Sequence, residues 1–216
     1  MKLVGMLTSP YTRRVAISLS GLGVEFEHVP VSVFSDYAEF RAFNPVVRAP
    51  TLLLDDGTPL TDSHVIIEHF DRLASESSLW PRDRAVRSRS AALLGLTQTA
   101  CDKAVQLVYE RELRPAEKQY AEWTDRVIGQ VSAACDLLEE RIDPEALWLA
   151  PGRPAQAGLS LAVAGTFMQH RIPDIWTEGR FARLQAFRAE AEELAVFRRW
   201  PHASLYKPLA QAPLNP

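Results

Sequence analysis

The sequence predicts a small α/β domain followed by an all-helical domain, and two observations carry that prediction. Up to about residue 75, short apolar runs alternate with amphipathic helical stretches. Beyond residue 84, no strand pattern follows and the apolar residues recur at helical spacing. The break falls in Ser75-Glu76-Ser77-Ser78-Leu79-Trp80-Pro81-Arg82-Asp83, a polar, proline-bounded stretch. The expected boundaries are 1–75 for the first domain, 76–84 for a linker and 85–216 for the helical domain.

The elements follow in order. Lys2-Leu3-Val4-Gly5-Met6-Leu7 reads as a buried strand, closed by Thr8-Ser9-Pro10, with proline suited to a first helical position. Val15, Ile17, Leu19 and Leu22 suit a helix that stops near Gly21-Leu22-Gly23. Glu25 to Val31 alternates with the period of a half-buried strand. A short helix is expected from Tyr37 to Phe43, ending at Asn44-Pro45. Thr51-Leu52-Leu53-Leu54 and Pro59-Leu60-Thr61 flank Asp55-Asp56-Gly57-Thr58, a hairpin turn. Ser63 to Leu73 is an amphipathic helix, which makes the order β-α-β-α-β-β-α.

In the second half, Leu93, Leu94, Ala100, Cys101, Ala104, Val105 and Val108 trace one helical face, and Trp123 to Ile142 carries another. A loop with Pro151, Gly152 and Pro154 leads to an apolar helix from Leu159 to Met168, ended by Pro173. Phe181 to Phe197 supplies one or two more helices.

Composition narrows the function. Of 216 residues, 47% are hydrophobic and 24% charged, which argues against disorder as the main state. A net charge of -3 disfavours nucleic acid as the main partner, since phosphate binding wants a basic face. Two cysteines, Cys101 and Cys135, make neither a disulfide scaffold nor a zinc site. The five histidines lack metal-ligand spacing, so no metal is expected. No apolar run nears the roughly 20 residues of a membrane span, and the N-terminus lacks the apolar core of a secretory signal. The expectation is a cytoplasmic protein with no membrane or nucleic-acid partner.

Three places can carry chemistry. Thr8-Ser9-Pro10-Tyr11-Thr12-Arg13 sits where a strand runs into a helix, and the positive end of the helix dipole suits an anion there. Ser9 can donate to such an anion or simply cap the helix. Val47-Arg48-Ala49-Pro50-Thr51 precedes a strand; a cis peptide before Pro50 would let Ala49 pair its backbone with an extended ligand. Thr61-Asp62-Ser63 opens the third helix, with Ser63 able to cap it or bind a carboxylate, and Asp62 able to meet an ammonium.

Together these segments resemble the glutathione S-transferases over essentially the full length. The resemblance rests on Ser9-Pro10-Tyr11-Thr12-Arg13-Arg14-Val15, on Phe43-Asn44-Pro45-Val46-Val47-Arg48-Ala49-Pro50-Thr51-Leu52, and on Leu60-Thr61-Asp62-Ser63-His64-Val65-Ile66. The chain is most similar to small bacterial members with serine at the active position. The resemblance implies a thioredoxin-like N-terminal domain and an all-helical C-terminal one. It implies a cis Pro50, Ala49 pairing with the cysteinyl backbone of glutathione, and Asp62 and Ser63 holding the γ-glutamyl end. Arg48 falls where relatives face the glycine end. It also implies a homodimer, with the α/β domain of one subunit on the helical domain of the other. Relatives open the core helix of the second domain with a Ser-x-x-Asp capping box; Ser160-Leu161-Ala162-Val163 keeps the serine and lacks the acid.

The expected function is a transferase that binds glutathione as co-substrate and activates its thiol toward a small electrophile. A thiol has a pKa of about 8.5, and lowering it by about two units takes roughly 2.7 kcal/mol. Ser9 is the expected catalytic residue and Thr12 a second donor. The electrophile pocket is expected between the domains, lined by Tyr11, Phe34 and Tyr109, with Cys101 either there or in the core. A thiol–disulfide oxidoreductase is disfavoured, because Ser9 and Thr12 stand where cysteine is needed. A glutathione-dependent isomerase or dehalogenase keeps the same thiol site, and a non-catalytic glutathione-binding or scaffold protein keeps the fold.

Overall fold

A mixed four-stranded sheet organises the first part of the chain. The computed structural model describes residues 1–74, 76–177 and 179–202. The elements begin β1 (Lys2–Val4), α1 (Pro10–Gly21), β2 (Glu27–Val29), α2 (Tyr37–Phe43), β3 (Thr51–Leu53), β4 (Pro59–Thr61) and α3 (Ser63–Leu73). The sheet order is β2-β1-β3-β4. β1 runs parallel to β2, with Leu3 opposite His28, and antiparallel to β3, with Val4 opposite Thr51. β3 and β4 form the expected hairpin, Leu52 opposite Leu60. The first strand is shorter than the Lys2-to-Leu7 run, because Gly5 turns the backbone to φ +140°.

Local chemistry explains the helix ends. Ser9 caps α1 and Pro10 opens it, where a missing N–H costs nothing. At the other end Gly23 adopts φ +76°, Gly23 N–H bonds Ser20 O and Val24 N–H bonds Leu19 O. That is the paired closure of a Schellman motif, and it makes Gly21-Leu22-Gly23 a true stop. Val4, Val31 and Phe40 bury together on one side of the sheet.

The second part is helical: α4 (Arg84–Leu113), a 3₁₀ turn (Ala116–Lys118), α5 (Ala121–Arg141), α6 (Pro144–Leu147), α7 (Gln156–Arg171) and α8 (Ala182–Glu192). α4 packs against α5 and α7. Thirteen residues of α7, Gln156 to Met168, are buried, as befits a helix apolar on all sides. Between α6 and α7 lies a hairpin that periodicity missed, β5 (Trp148–Ala150) with β6 (Arg153–Pro154). Its turn is the Pro151-Gly152 pair, with Gly152 at φ +72°. Strands this short leave no readable alternation.

The core helix starts more than a turn before the expected Ser160. Its N-cap is Ala155, and the third helical residue is Gly158. The two positions of a capping box therefore carry no polar side chain, and Ser160 instead accepts from Gln156 Nε2 inside the helix (3.1 Å). Tertiary contact replaces the cap: Ala155 N–H donates to Leu147 O (2.8 Å).

By contacts the described chain divides into Met1–Leu79 together with residues 195–202, and Trp80–Leu194. Two features differ from the expected layout. Leu79 is not in a solvated linker: Asp71 accepts from Leu79 N–H (2.7 Å) and Ser78 Oγ (3.0 Å), and Leu79 packs beside Gly21. The last described helix, α9 (Ala195–Arg199), joins the first unit rather than the helical one. Arg13, 1% exposed, donates from Nε to Trp200 O (2.8 Å), and Trp200 Nε1 donates to Ser20 Oγ (2.7 Å). Phe26 stacks on the Trp200 ring at 5.1 Å. Ser75 and residues 203–216 of the expected domains lie outside the described residues. Among the described residues no helix is long and apolar enough to cross a membrane.

Candidate functional site in the first unit

The start of α1 holds Ser9 half-buried, with an extended backbone. Its Oγ accepts from Thr12 N–H at 3.4 Å, a loose cap. Accepting leaves the Ser9 hydroxyl proton free to donate elsewhere. Three neighbouring backbone positions are committed or lack a donor: Ser9 N–H goes to Met6 O (3.0 Å), Pro10 has none, and Thr12 N–H faces Ser9 itself. The hydroxyl can thus donate to an anion at this helix end.

Thr12, expected as a second donor, is placed differently. It is fully buried, and its Oγ1 meets no hydrogen-bond partner among the described residues. A methyl group on Gly5 would stand 2.6 Å from that oxygen and 3.2 Å from the Ala49 Cβ. The Thr12 side chain therefore packs inward on Gly5, because the third residue of α1 faces the sheet. Its contribution to the helix end is its N–H.

The Ala49–Pro50 peptide is cis. The residue two before Ala49, Val47, sits at φ +52°, and Asn44 braces the loop by donating to Thr51 Oγ1 (2.9 Å) and accepting from Val46 N–H (3.0 Å). A β-branched residue at positive φ is costly and marks a backbone held by its surroundings. Among the described residues, no hydrogen bond engages the Ala49 N–H or C=O. An extended ligand could pair with both, as an added strand does.

In the third segment the helix cap falls one residue before the expected Ser63. Asp62, not Ser63, caps α3: at φ +68° its Oδ1 accepts from His64 N–H (2.9 Å). Ser63 becomes the first helical residue, buried, and its hydroxyl engages no described residue. Asp62 also receives Arg48 Nη2 at 3.2 Å. The two residues that the resemblance sends to opposite ends of glutathione thus share an ion pair. Burial opposes the charged form of Asp62, but the His64 N–H, the Arg48 guanidinium and the charge of Arg14 outweigh it and hold the carboxyl below the usual range.

That depressed value has a stability consequence. The contribution is full above the ordinary carboxylate value of 3.8 and is lost as pH falls through the lowered native value. Asp62→Asn should therefore lower the unfolding free energy from urea titration at neutral pH, by less than about 1 kcal/mol for so exposed a group. The deficit should shrink as the pH falls below 3.8. A deficit that grows on acidification would contradict this assignment.

Gly5 brings Thr12 and Ala49 together, and the ion pair joins Arg48 to Asp62. Tyr11 follows Pro10 on α1, half-buried, and Phe34 lies in the turn after β2, its N–H on Ser32 Oγ (3.1 Å). Tyr109 belongs to α4 of the second unit, 42% exposed. Both cysteines are buried, and burial, followed by the charge of Asp136, pushes the Cys135 thiol up to about 12. A thiol so rarely ionised is a core residue. Among the described residues no group of three metal-ligating side chains gathers. Sequence reasoning missed Gly5 and His28, whose Nε2 bonds Gly5 O at 2.8 Å. The positive φ of Gly5 had a signal, a glycine inside an apolar strand run.

Comparison with known proteins bears on the family and the fold. Residues 3–78 match the family described as glutathione S-transferase, N-terminal domain. Maleylacetoacetate isomerase of Pseudomonas aeruginosa is 30% identical over 182 residues, spanning 81% of this chain and 78% of that protein. The uncharacterised GST-like protein YibF of Escherichia coli is 29% identical over 139 residues, spanning 64% of this chain and 68% of its own. A glutathione transferase family member from Pseudomonas fluorescens, solved with bound glutathione, superposes with a TM-score of 0.78 at 29% identity, over 94% of this chain and 98% of that one. A glutathione S-transferase from Methylobacterium radiotolerans, in complex with glutathione sulfonate, has a TM-score of 0.83 at 22% identity, over 95% and 97%, a likeness of fold. A thioredoxin-like unit, a helical unit and relatives of this kind leave one assignment: the chain belongs to the glutathione S-transferase family.

Proposed function

We propose that the protein binds glutathione in its first unit and activates the thiol for attack on a small electrophile. The observation that carries the reading is the unpaired Ala49 backbone beside cis Pro50, close through Gly5 to the helix start that bears Ser9. Ala49 pairs with the cysteinyl backbone, Ser63 holds the γ-glutamyl carboxylate at the start of α3, and Asp62 meets its ammonium. Arg48 lies over Asp62 in the free protein and is available to the ligand's carboxylates. Ser9 donates to the thiolate. Tyr11, Phe34 and Tyr109 are the proposed contacts of the electrophile, and a homodimer in the cytoplasm is the proposed working form. The glutathione-bound relative at 29% identity supports the co-substrate.

A second reading has its own support. The relative at 30% identity is a maleylacetoacetate isomerase. An isomerase uses the glutathione thiolate reversibly and needs no change in the thiol site, so the two readings differ in the second substrate alone.

Calorimetric titration with glutathione tests the binding reading, and Ser63→Ala tests its geometry. A contact made equally in ground and transition states affects KM more than kcat. Ser63→Ala should raise KM for glutathione about tenfold, for a hydrogen bond to a charged group, and change kcat by less than about threefold. An unchanged KM in a folded variant removes Ser63 from the site. A panel of electrophiles and cis-olefin acids then separates transfer from isomerisation.

A further inference from the structure

Gly5 is the spacer of the proposed thiol site, and a side chain outside that site holds it. On one side, a methyl at Gly5 would collide with Thr12 Oγ1 at 2.6 Å and press on Ala49 Cβ at 3.2 Å. The first turn of α1 and the Ala49–Pro50 loop therefore close on the bare Cα of Gly5, at a φ that only glycine adopts readily. On the other side, His28 Nε2 meets Gly5 O at 2.8 Å. A carbonyl only accepts, so Nε2 carries the proton and donates.

His28 is itself braced. Its ring stands edge-on to Trp200 at 5.8 Å and 85°, and Trp200 is bonded to Arg13 and Ser20 of α1 and stacked on Phe26. The sheet does not require the His28 bond, because Gly5 N–H already pairs with Val29 O (3.0 Å). What the imidazole adds is the orientation of the Gly5 peptide, and with it the separation of the Ser9 helix end from the Ala49 backbone.

We propose that His28 is a positioning residue for the thiol end of the bound ligand. Through the Gly5 carbonyl it sets the spacing between the group that stabilises the thiolate and the backbone that holds the cysteinyl unit. The inference rests on the glutathione reading above. Small displacements of such groups cost rate and affinity far out of proportion to the stability involved.

Three proteins test it: wild type, His28→Phe and His28→Gln. Phenylalanine keeps a ring against Trp200 and removes the donor. Glutamine returns an amide N–H near the Nε2 position. For each, the glutathione Kd is measured by calorimetry, the thiol pKa by thiolate absorbance of the complex, and the fold by urea midpoint. His28→Phe should weaken glutathione about tenfold and raise the bound thiol pKa, while His28→Gln returns the Kd to within about threefold of wild type and the thiol pKa to within about half a unit. Unchanged affinity and thiolate titration in folded His28→Phe overturn the inference, as does a His28→Gln as impaired as His28→Phe. Should His28→Phe fail to fold, His28→Asn, whose amide stops short of Gly5, takes its place with the same two outcomes. A wild type that takes up no glutathione overturns the underlying reading; normal wild-type binding with an indifferent His28→Phe overturns the positioning role alone.

Discussion

Gly158→Ala is expected to lower the thermal midpoint of the helical unit by about 10 °C, from roughly 3 kcal/mol of overpacking. The added Cβ would stand 2.3 Å from Leu147 O, 3.2 Å from Leu147 C and 2.9 Å from Phe187 Cζ. The first two are backbone atoms, so no rotamer change relieves the contact. Leu147 O is also the acceptor of Ala155 N–H, the bond that stands in for a side-chain cap at the start of α7. Moving the carbonyl away from the methyl stretches that bond as well. Alanine has the better intrinsic helix propensity, by up to about 1 kcal/mol, and this opposes the clash without matching it. Differential scanning calorimetry of the variant beside wild type measures the difference. A midpoint at or above wild type would mean that α7 and the residue 147 segment yield to the methyl group cheaply.

Ser9→Ala is expected to raise the pKa of the bound glutathione thiol by about one to two pH units, the worth of a hydrogen bond to a charged partner at roughly 1.5–3 kcal/mol. The commitments around residue 9 sharpen the expectation. With Ser9 N–H on Met6 O, Pro10 lacking an N–H and Thr12 N–H on Ser9 Oγ, three backbone positions at this helix end give no further donor beside the hydroxyl. The helix dipole remains in the variant, so the thiol should still titrate below free glutathione. Loss of the cap is a separate effect of about 0.5–1 kcal/mol, small because the Oγ–Thr12 bond is already long at 3.4 Å. Ser9→Gly separates the two, since glycine caps within a few tenths of a kcal/mol of serine yet donates nothing. Both variants should show the same raised thiol titration, with Ser9→Ala the less stable. A thiolate absorbance profile that moves in neither would leave Ser9 as a cap alone.

Much of the first unit was legible because its signals are local. Ser9-Pro10 at a helix start, Gly21-Leu22-Gly23 at its end and Asp55-Asp56-Gly57-Thr58 in a hairpin each act through bonds to residues a few positions away. The observed elements accordingly fall where expected, and Ala49–Pro50 is cis as the resemblance implied. The cap of α3 was also a local matter, expected at Ser63 and found one residue earlier at Asp62, whose φ of +68° keeps it outside the helix.

The sequence by itself determined the element order, the change from α/β to helical character and the three segments that build the candidate site. Tertiary structure decided the rest. It started α7 at Gln156, where Leu147 O accepts from the N-cap Ala155 N–H in place of a capping-box acid. It placed α9 and Trp200 on the first unit, where Arg13, Ser20, Phe26 and His28 meet them from positions more than 170 residues away. It turned Thr12 inward and made Gly5 a spacer, since the Thr12 side chain and the Ala49 Cβ both close on the Gly5 Cα. In each case the deciding atom belongs to a residue outside the element it shapes, and periodicity, capping preference and turn propensity see only the element itself.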